Sequence, residues 1–255
     1  MVLNFGKESY MNILSRCRLS GNALKLLAAL FMLIDHIGML LFPSVIWLRA
    51  VGRLAFPIFA YMISEGAHRT RNKLAYFLRI FSVGVICQLA YFIYNPLSPY
   101  LNVMLTFSAS VLLIYSLDRA KLSVIGGFSR REIALWVSLF VVMLFSVIAI
   151  GSFYMFDYGT MGVLAPLFSS IFRTREGYPE RLVRFDNKFI HVSLMSIPMI
   201  VIVAESAPVQ IFSFVALILL LLYSGERGRW RMKYFFYVFY PVHLLILQLI
   251  AMLIA

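Results

Sequence analysis

Apolar residues run along this chain in long unbroken stretches, not in alternation. The stretches recur from Leu24 to the last residue. A helix needs about 20 apolar residues to cross a hydrocarbon core of ~30 Å. Continuous runs exclude a transmembrane β-barrel, whose strands alternate. The pattern predicts helices over 24–42, 46–64, 74–94, 103–117, 133–151, 158–172, 189–204, 208–224 and 234–254. The run at 158–172 is short and holds Pro166, which suits a broken or partly embedded segment. The expected fold is all-α, a polytopic bundle of about nine transmembrane helices. One domain over 1–255 is expected, since the connections are short and no fixed-period repeat or low-complexity linker occurs. The polar stretch 1–22 precedes a run too long for a signal-peptide core, so a retained first helix is expected.

Composition agrees. Hydrophobic residues make up 62% of the 255 residues and charged ones 13%, against about a quarter charged in a soluble domain. The net charge of +12 would suggest nucleic acid in a soluble protein. Here the charges follow topology instead, and no nucleic-acid partner is expected. Of the 23 Lys and Arg residues, 21 fall in the N-terminal segment or near the 65–79, 118–132, 173–188 and 225–233 connections. The alternate connections carry none. The positive-inside rule then places the N-terminus in the cytosol and the C-terminus outside. Cys17 and Cys87 lie far apart with no CxxC or histidine spacing, so neither a structural disulfide nor a metal site is expected.

The second predicted helix also carries the exceptions, Arg49 and Arg53. Asp35 lies seven residues before Phe42, and Arg53 lies seven after Ile46. At about 1.5 Å per residue the two reach similar depth. His243, nine residues into the last run, lands near the middle as well. Asp35, His36, Arg53 and His243 thus share one layer of the bundle. Charged groups inside hydrocarbon cost about 2.5–3.5 kcal/mol each on insertion scales, so such residues are functional candidates. Asp35 and His36 are adjacent and diverge by roughly 100°, so Asp35 is expected to pair with Arg53 or to orient His243. Arg49, nearer the outer end, is expected to matter less. The alternative reading is an ion pair and two histidines that only hold helices in register. Pro57 denies the Arg53 carbonyl its helical partner, and Pro241 does the same to Tyr237. Tyr240 lies one turn from His243.

Three weaker groups complete the candidates. Glu65, His68, Arg69 and Arg71 end the second helix on the cytosolic side, where basic residues can meet phosphates. Tyr158, in Asp157-Tyr158-Gly159, borders the outer face and a site for an external acceptor. His191 begins a helix at the interface and carries no signal.

The motifs DHIG at 35–38, GRLAFPIFAY at 52–61, NVMLTF at 102–107, DYGTMGVL at 157–164 and FYPVHL at 239–244 together resemble the TraX family, in that family's order. The resemblance implies a multi-pass acyltransferase of the bacterial inner membrane, surrounded by membrane lipid. It implies acetyl-CoA as donor from the cytosolic side, and a pilin N-terminus or another cell-surface group as acceptor. Asp35, His36, Arg53 and His243 become the catalytic candidates, with a histidine as general base and His36 preferred to His243. Glu65, His68, Arg69 and Arg71 become donor-binding candidates, and Tyr158 and Tyr240 acceptor-binding ones. Two other classes compete: a secondary transporter with a midplane Asp/His/Arg site, and a non-catalytic membrane assembly protein. A transporter would often show inverted repeats, and none is seen.

Overall fold

The structure, a computed structural model, describes residues 18–175, 178–229 and 232–254. The basic residues before Arg18, together with Cys17 and Arg231, lie outside the described residues.

Local sequence starts each helix. Ser20 caps α1 (Gly21–Leu40), its hydroxyl accepting from the Ala23 N–H at 3.2 Å. The next pass is broken in two, α2 (Ile46–Gly52) and α3 (Ala55–Arg69), with Arg53 at the break. Asn72 caps α4 (Lys73–Tyr94) and Asn102 caps α5 (Val103–Ile125). A reciprocal capping box of Ser129 and Glu132 opens α6 (Arg130–Phe153). Then come α7 (Gly159–Phe168), α8 (Glu180–Val183) and α9 (Lys188–Glu205). A 3₁₀ turn over Pro208–Phe214 leads into α10 (Val215–Leu221), and α11 (Lys233–Ile254) closes the described chain. Two two-residue strands, β1 (Tyr100–Leu101) and β2 (Met155–Phe156), pair in parallel at the end away from the basic loops.

The chain is nearly all-α, as expected, but its helices are not nine of full length. Among the described residues seven are long and apolar enough to cross a membrane, with α2 and α3 taken as one. The two remaining expected helices exist in shortened form, as α7 and as the 3₁₀ turn with α10. Proline explains the first. Pro166 removes an N–H within α7, and Pro208 starts the 3₁₀ turn. The chain still passes along the bundle at α7. The Asp157 carbonyl lies by Thr106 near the start of α5, and the Ser170 carbonyl accepts from Lys121 near its end. α5 is also two turns longer than expected. Its charged end stays helical because Asp118 is buried against Arg175 and Lys73, and Lys121 caps three backbone carbonyls.

α5, α7 and α9 form the centre, with Val111, Leu113, Val163, Ala165 and Met195 fully buried. The Ser110 hydroxyl donates to the Val163 carbonyl at 2.8 Å, so the two central helices are tied without a charge. α6 buries Val147 and turns most of its apolar surface outward. α1 and α2 are held close by two glycines. A Cβ on Gly52 would collide with Asp35, and one on Gly38 would come within 2.7 Å of the Leu48 Cβ. α11 packs against α1 and α4. Between these three and α3 lies a cavity of about 1030 Å³.

Candidate functional site

The cavity follows α1 for nearly its whole length, from Gly21 and Lys25 at the basic end to Met39 and Leu40 at the other. Its middle is polar. There α1 contributes Asp35 and His36, the α2–α3 break contributes Arg49 and Arg53, and the turn before α7 contributes Asp157 and Tyr158.

The expected pairing of Asp35 with Arg53 is present. Arg53 Nη2 donates to both carboxylate oxygens of Asp35, at 2.7 and 2.9 Å. Arg49 is a second partner of the same carboxylate. Its Nη1 donates to Asp35 Oδ2 at 2.7 Å and to the Asp35 carbonyl at 2.9 Å. Arg49 lies one helical turn before Arg53, and the Arg53 N–H still bonds the Arg49 carbonyl. Both guanidinium groups therefore reach the same carboxylate. The outer-end residue expected to matter little is part of the centre. Gln210, from the 3₁₀ turn, accepts from Arg53 Nη1 at 3.3 Å and is 2% exposed. A lone glutamine in an apolar run was the signal for it, and it was overlooked.

The two histidines meet. His36 Nδ1 lies 2.9 Å from His243 Nε2, and His243 Nδ1 lies 2.7 Å from the Phe239 carbonyl. A carbonyl only accepts, so His243 Nδ1 carries a hydrogen. In the neutral ring its Nε2 is then bare and accepts from His36 Nδ1–H. This leaves His36 Nε2 as the unprotonated nitrogen of the pair. The Phe239 ring stacks on His243 at 4.7 Å and holds its plane.

Each motif of the sequence reaches this one cavity or braces it. Tyr158 takes a left-handed backbone (φ 61°), and its ring stacks on Phe56 at 3.9 Å. That contact joins the turn before α7 to the segment following Arg53. Asn102 accepts from the first N–H groups of α5 and donates to the Gly84 carbonyl and to Gln88. Its role is to fix α4 against α5. Tyr240 lines the cavity one turn before Leu244.

Asp157 sits in the turn between α6 and α7. Burial pushes its carboxyl up to about 6, against the opposing pull of a hydrogen bond from Tyr100 and the charge of Arg53. The residue is only partly buried by area because it lines the cavity. A carboxyl raised in the fold stabilises fully below its unfolded value near 4 and loses that contribution as pH rises through about 6. Asp157→Asn is therefore expected to be more stable than the parent at pH 8, by on the order of 2 kcal/mol, and no more stable at pH 4. Thermal unfolding in detergent at both pH values checks this. Parallel behaviour of the two proteins would refute it.

The expected donor-binding group divides. Glu65 and Arg69 line the cavity at its basic end, while His68 and Arg71 are not among its lining residues. Glu65 is already neutralised. Arg173 Nη1 reaches its Oε2 at 2.5 Å, Arg69 Nε reaches its Oε1 at 2.5 Å, and the Tyr223 hydroxyl donates to Oε1 at 3.0 Å. It holds the end of α3 to the 169–175 loop. His191 also has a partner that its silent sequence setting did not suggest. It is 3% exposed and its Nε2 lies 3.1 Å from Asp186. Burial alone would raise the Asp186 carboxyl, but the adjacent His191 and the hydrogen bonds from Thr174 outweigh it and hold the group lowered.

A family model described as TraX protein matches residues 20–251. A probable fimbrial assembly protein, FimC of serogroup H1 from Dichelobacter nodosus, is 27% identical over 246 residues, covering 88% of this chain and 92% of that protein. No solved structure matches the chain.

Proposed function

The chain belongs to the TraX family, and from that premise we propose that it is a nine-pass membrane acetyltransferase with its N-terminus and basic end in the cytosol. It is a membrane protein of a pilus-related family. The acetyl donor is acetyl-CoA. The acceptor is the N-terminal amine of a pilin-like protein or another cell-surface amine or hydroxyl, in a bacterial inner membrane.

One observation carries the reading. His36 lies in the wall of a cavity beside a carboxylate held by two arginines, and a 2.9 Å hydrogen bond to His243 behind it leaves its Nε2 bare. A register-holding ion pair needs no such cavity. A base, a donor-sized space and fixed positive charge are what acyl transfer requires.

The steps follow from the geometry. His36 Nε2 takes the proton of the acceptor as its nitrogen or oxygen bonds to the thioester carbonyl carbon. The Nδ1–H bond to His243 orients the ring and spreads the positive charge that forms. The carbonyl oxygen becomes an oxyanion, stabilised by the guanidinium charge of Arg49 and Arg53. Arg49 is the better direct donor, since its side chain is 25% exposed and that of Arg53 is 14% exposed. The C–S bond then breaks, and the thiolate leaves with the proton from the His36 imidazolium. Asp35 keeps both guanidiniums aligned and offsets part of their charge in the resting site.

Purified protein incubated with labelled acetyl-CoA is expected to release free thiol and to label an acceptor. Mass spectrometry of surface proteins and glycans from cells with and without the protein identifies that acceptor. Ion-coupled uptake into vesicles without any acetyl transfer would overturn the reading in favour of transport.

A further inference from the structure

We propose that Lys25, Arg79 and Arg227 form a binding site for the phosphate groups of a nucleotide-bearing donor at the basic mouth of the cavity. The donor's identity rests on the acetyltransferase reading; the anion site itself rests on charge and geometry.

Three elements bring these cations together: α1, α4 and the loop before α11. All three line the cavity. None takes part in an ion pair among the described residues. Lys25 and Arg227 are close enough to repel one another. The carboxylate whose charge Lys25 feels is Glu65, and both its oxygens are occupied by Arg173, Arg69 and Tyr223. Arg79 binds the Tyr237 hydroxyl, while its Nε is buried with no partner among the described residues.

The positive-inside rule accounts for cations at this end, but not for three of them lining one cavity without an ion pair among the described residues. Several other cations at the same end are satisfied. Lys73 and Arg175 hold Asp118, Arg173 holds Glu65, and Lys121 and Lys188 bind backbone carbonyls. Lys25, Arg79 and Arg227 instead line one shared cavity without an ion pair among the described residues. The loop bearing Arg227 is also fixed in place. Gly21 N–H donates to the Glu226 carbonyl at 2.7 Å, and Asn22 N–H to the Arg227 carbonyl at 3.0 Å. Those bonds, with the Ser20 cap, consume the first N–H groups of α1. The anion must therefore be met by side chains.

Distance selects the ligand. Lys25 stands eleven residues before His36 on one straight helix. At about 1.5 Å per residue, that separates the mouth from the base by roughly 16 Å. A donor fitting both ends has an anionic head and a reactive carbonyl joined by a long neutral arm, as in an acyl-coenzyme A. An acyl phosphate, whose charge adjoins its carbonyl, cannot span the two.

The test uses the full-length protein in phosphatidylcholine nanodiscs. The probe is adenosine 3′,5′-bisphosphate, which resembles the anionic head and needs no chemistry. Wild-type protein is expected to bind it, with affinity falling steeply as salt rises. Arg227→Gln, on an exposed loop that leaves the core intact, should weaken binding about threefold; Lys25→Gln, Arg79→Gln and Arg227→Gln combined should weaken it at least tenfold. In the transfer assay the combined variant should raise KM for acetyl-CoA far more than it lowers kcat, with S-acetylpantetheine showing no such rise. No binding by wild type, or equal binding by all variants, overturns the site. Loss of bisphosphate binding when phosphatidylglycerol is added identifies a lipid headgroup as the occupant and overturns the nucleotide assignment. Bisphosphate binding that depends on these cations, with no acetyl transfer by wild type, leaves the site standing and defeats the acetyltransferase reading alone.

Discussion

Replacing His36 with Ala is expected to lower acetyl transfer by about 10²–10⁴-fold while the protein stays folded and still binds donor. Proton removal matters in the transition state, so the loss falls on kcat and not on donor affinity. His243→Ala is expected to lower transfer less. It leaves His36 Nε2 in place but removes the partner, 2.9 Å away, that keeps the hydrogen on Nδ1. His243→Gln is the sharper variant, because an amide oxygen can still accept from Nδ1–H, and it should recover part of the loss. Single-turnover acetylation by the three variants, with bisphosphate binding as the control for folding, measures this order. Near wild-type transfer in His36→Ala with loss in His243→Ala would reverse the assignment. Full activity in both would make the pair structural and place the chemistry elsewhere in the cavity.

That layer of the bundle was legible because depth in a membrane is nearly a function of sequence position. Counting from Phe42 and Ile46 brought Asp35 and Arg53 to one level, and the structure joins them. The long apolar passes were legible for the same reason, although seven and not nine are of spanning length among the described residues. Local boundaries were less so. The start of α6 was missed by three residues although Ser129 and Glu132 spell a capping box, and the end of α5 was missed by eight. Asp118 and Lys121 looked like loop charges because their partners, Arg175 and the carbonyls after α7, lie about fifty residues away. Long-range pairing of that kind leaves no local trace. Arg49 is the opposite case. Its spacing of four from Arg53 already put both on one helical face. The cavity was not legible at all, since it depends on how α1, α3, α4 and α11 pack around it.

Asp35→Asn is expected to be the most destabilising polar substitution in the chain. The carboxylate is the shared counter-ion of two guanidinium groups, of Arg49 and Arg53, and its own side chain is 13% exposed. Removing one member of a buried ion pair typically costs about 3–5 kcal/mol, because the charge left behind has no partner. Here the loss leaves two like charges facing each other across the space the carboxylate filled. Gly52 cannot yield to relieve them, since it already touches Asp35 where any Cβ would collide. Arg49→Gln is expected to cost less than Arg53→Gln, as Arg49 is the more exposed and Arg53 also holds Gln210. The double variant Asp35→Asn with Arg53→Gln should be more stable than Asp35→Asn alone, since it removes one of the stranded charges. Thermal unfolding in detergent of the single and double variants yields the coupling directly. Additive effects would mean that Asp35 and Arg53 do not act as a unit, and the claim that one carboxylate organises the centre of the bundle would fall with them.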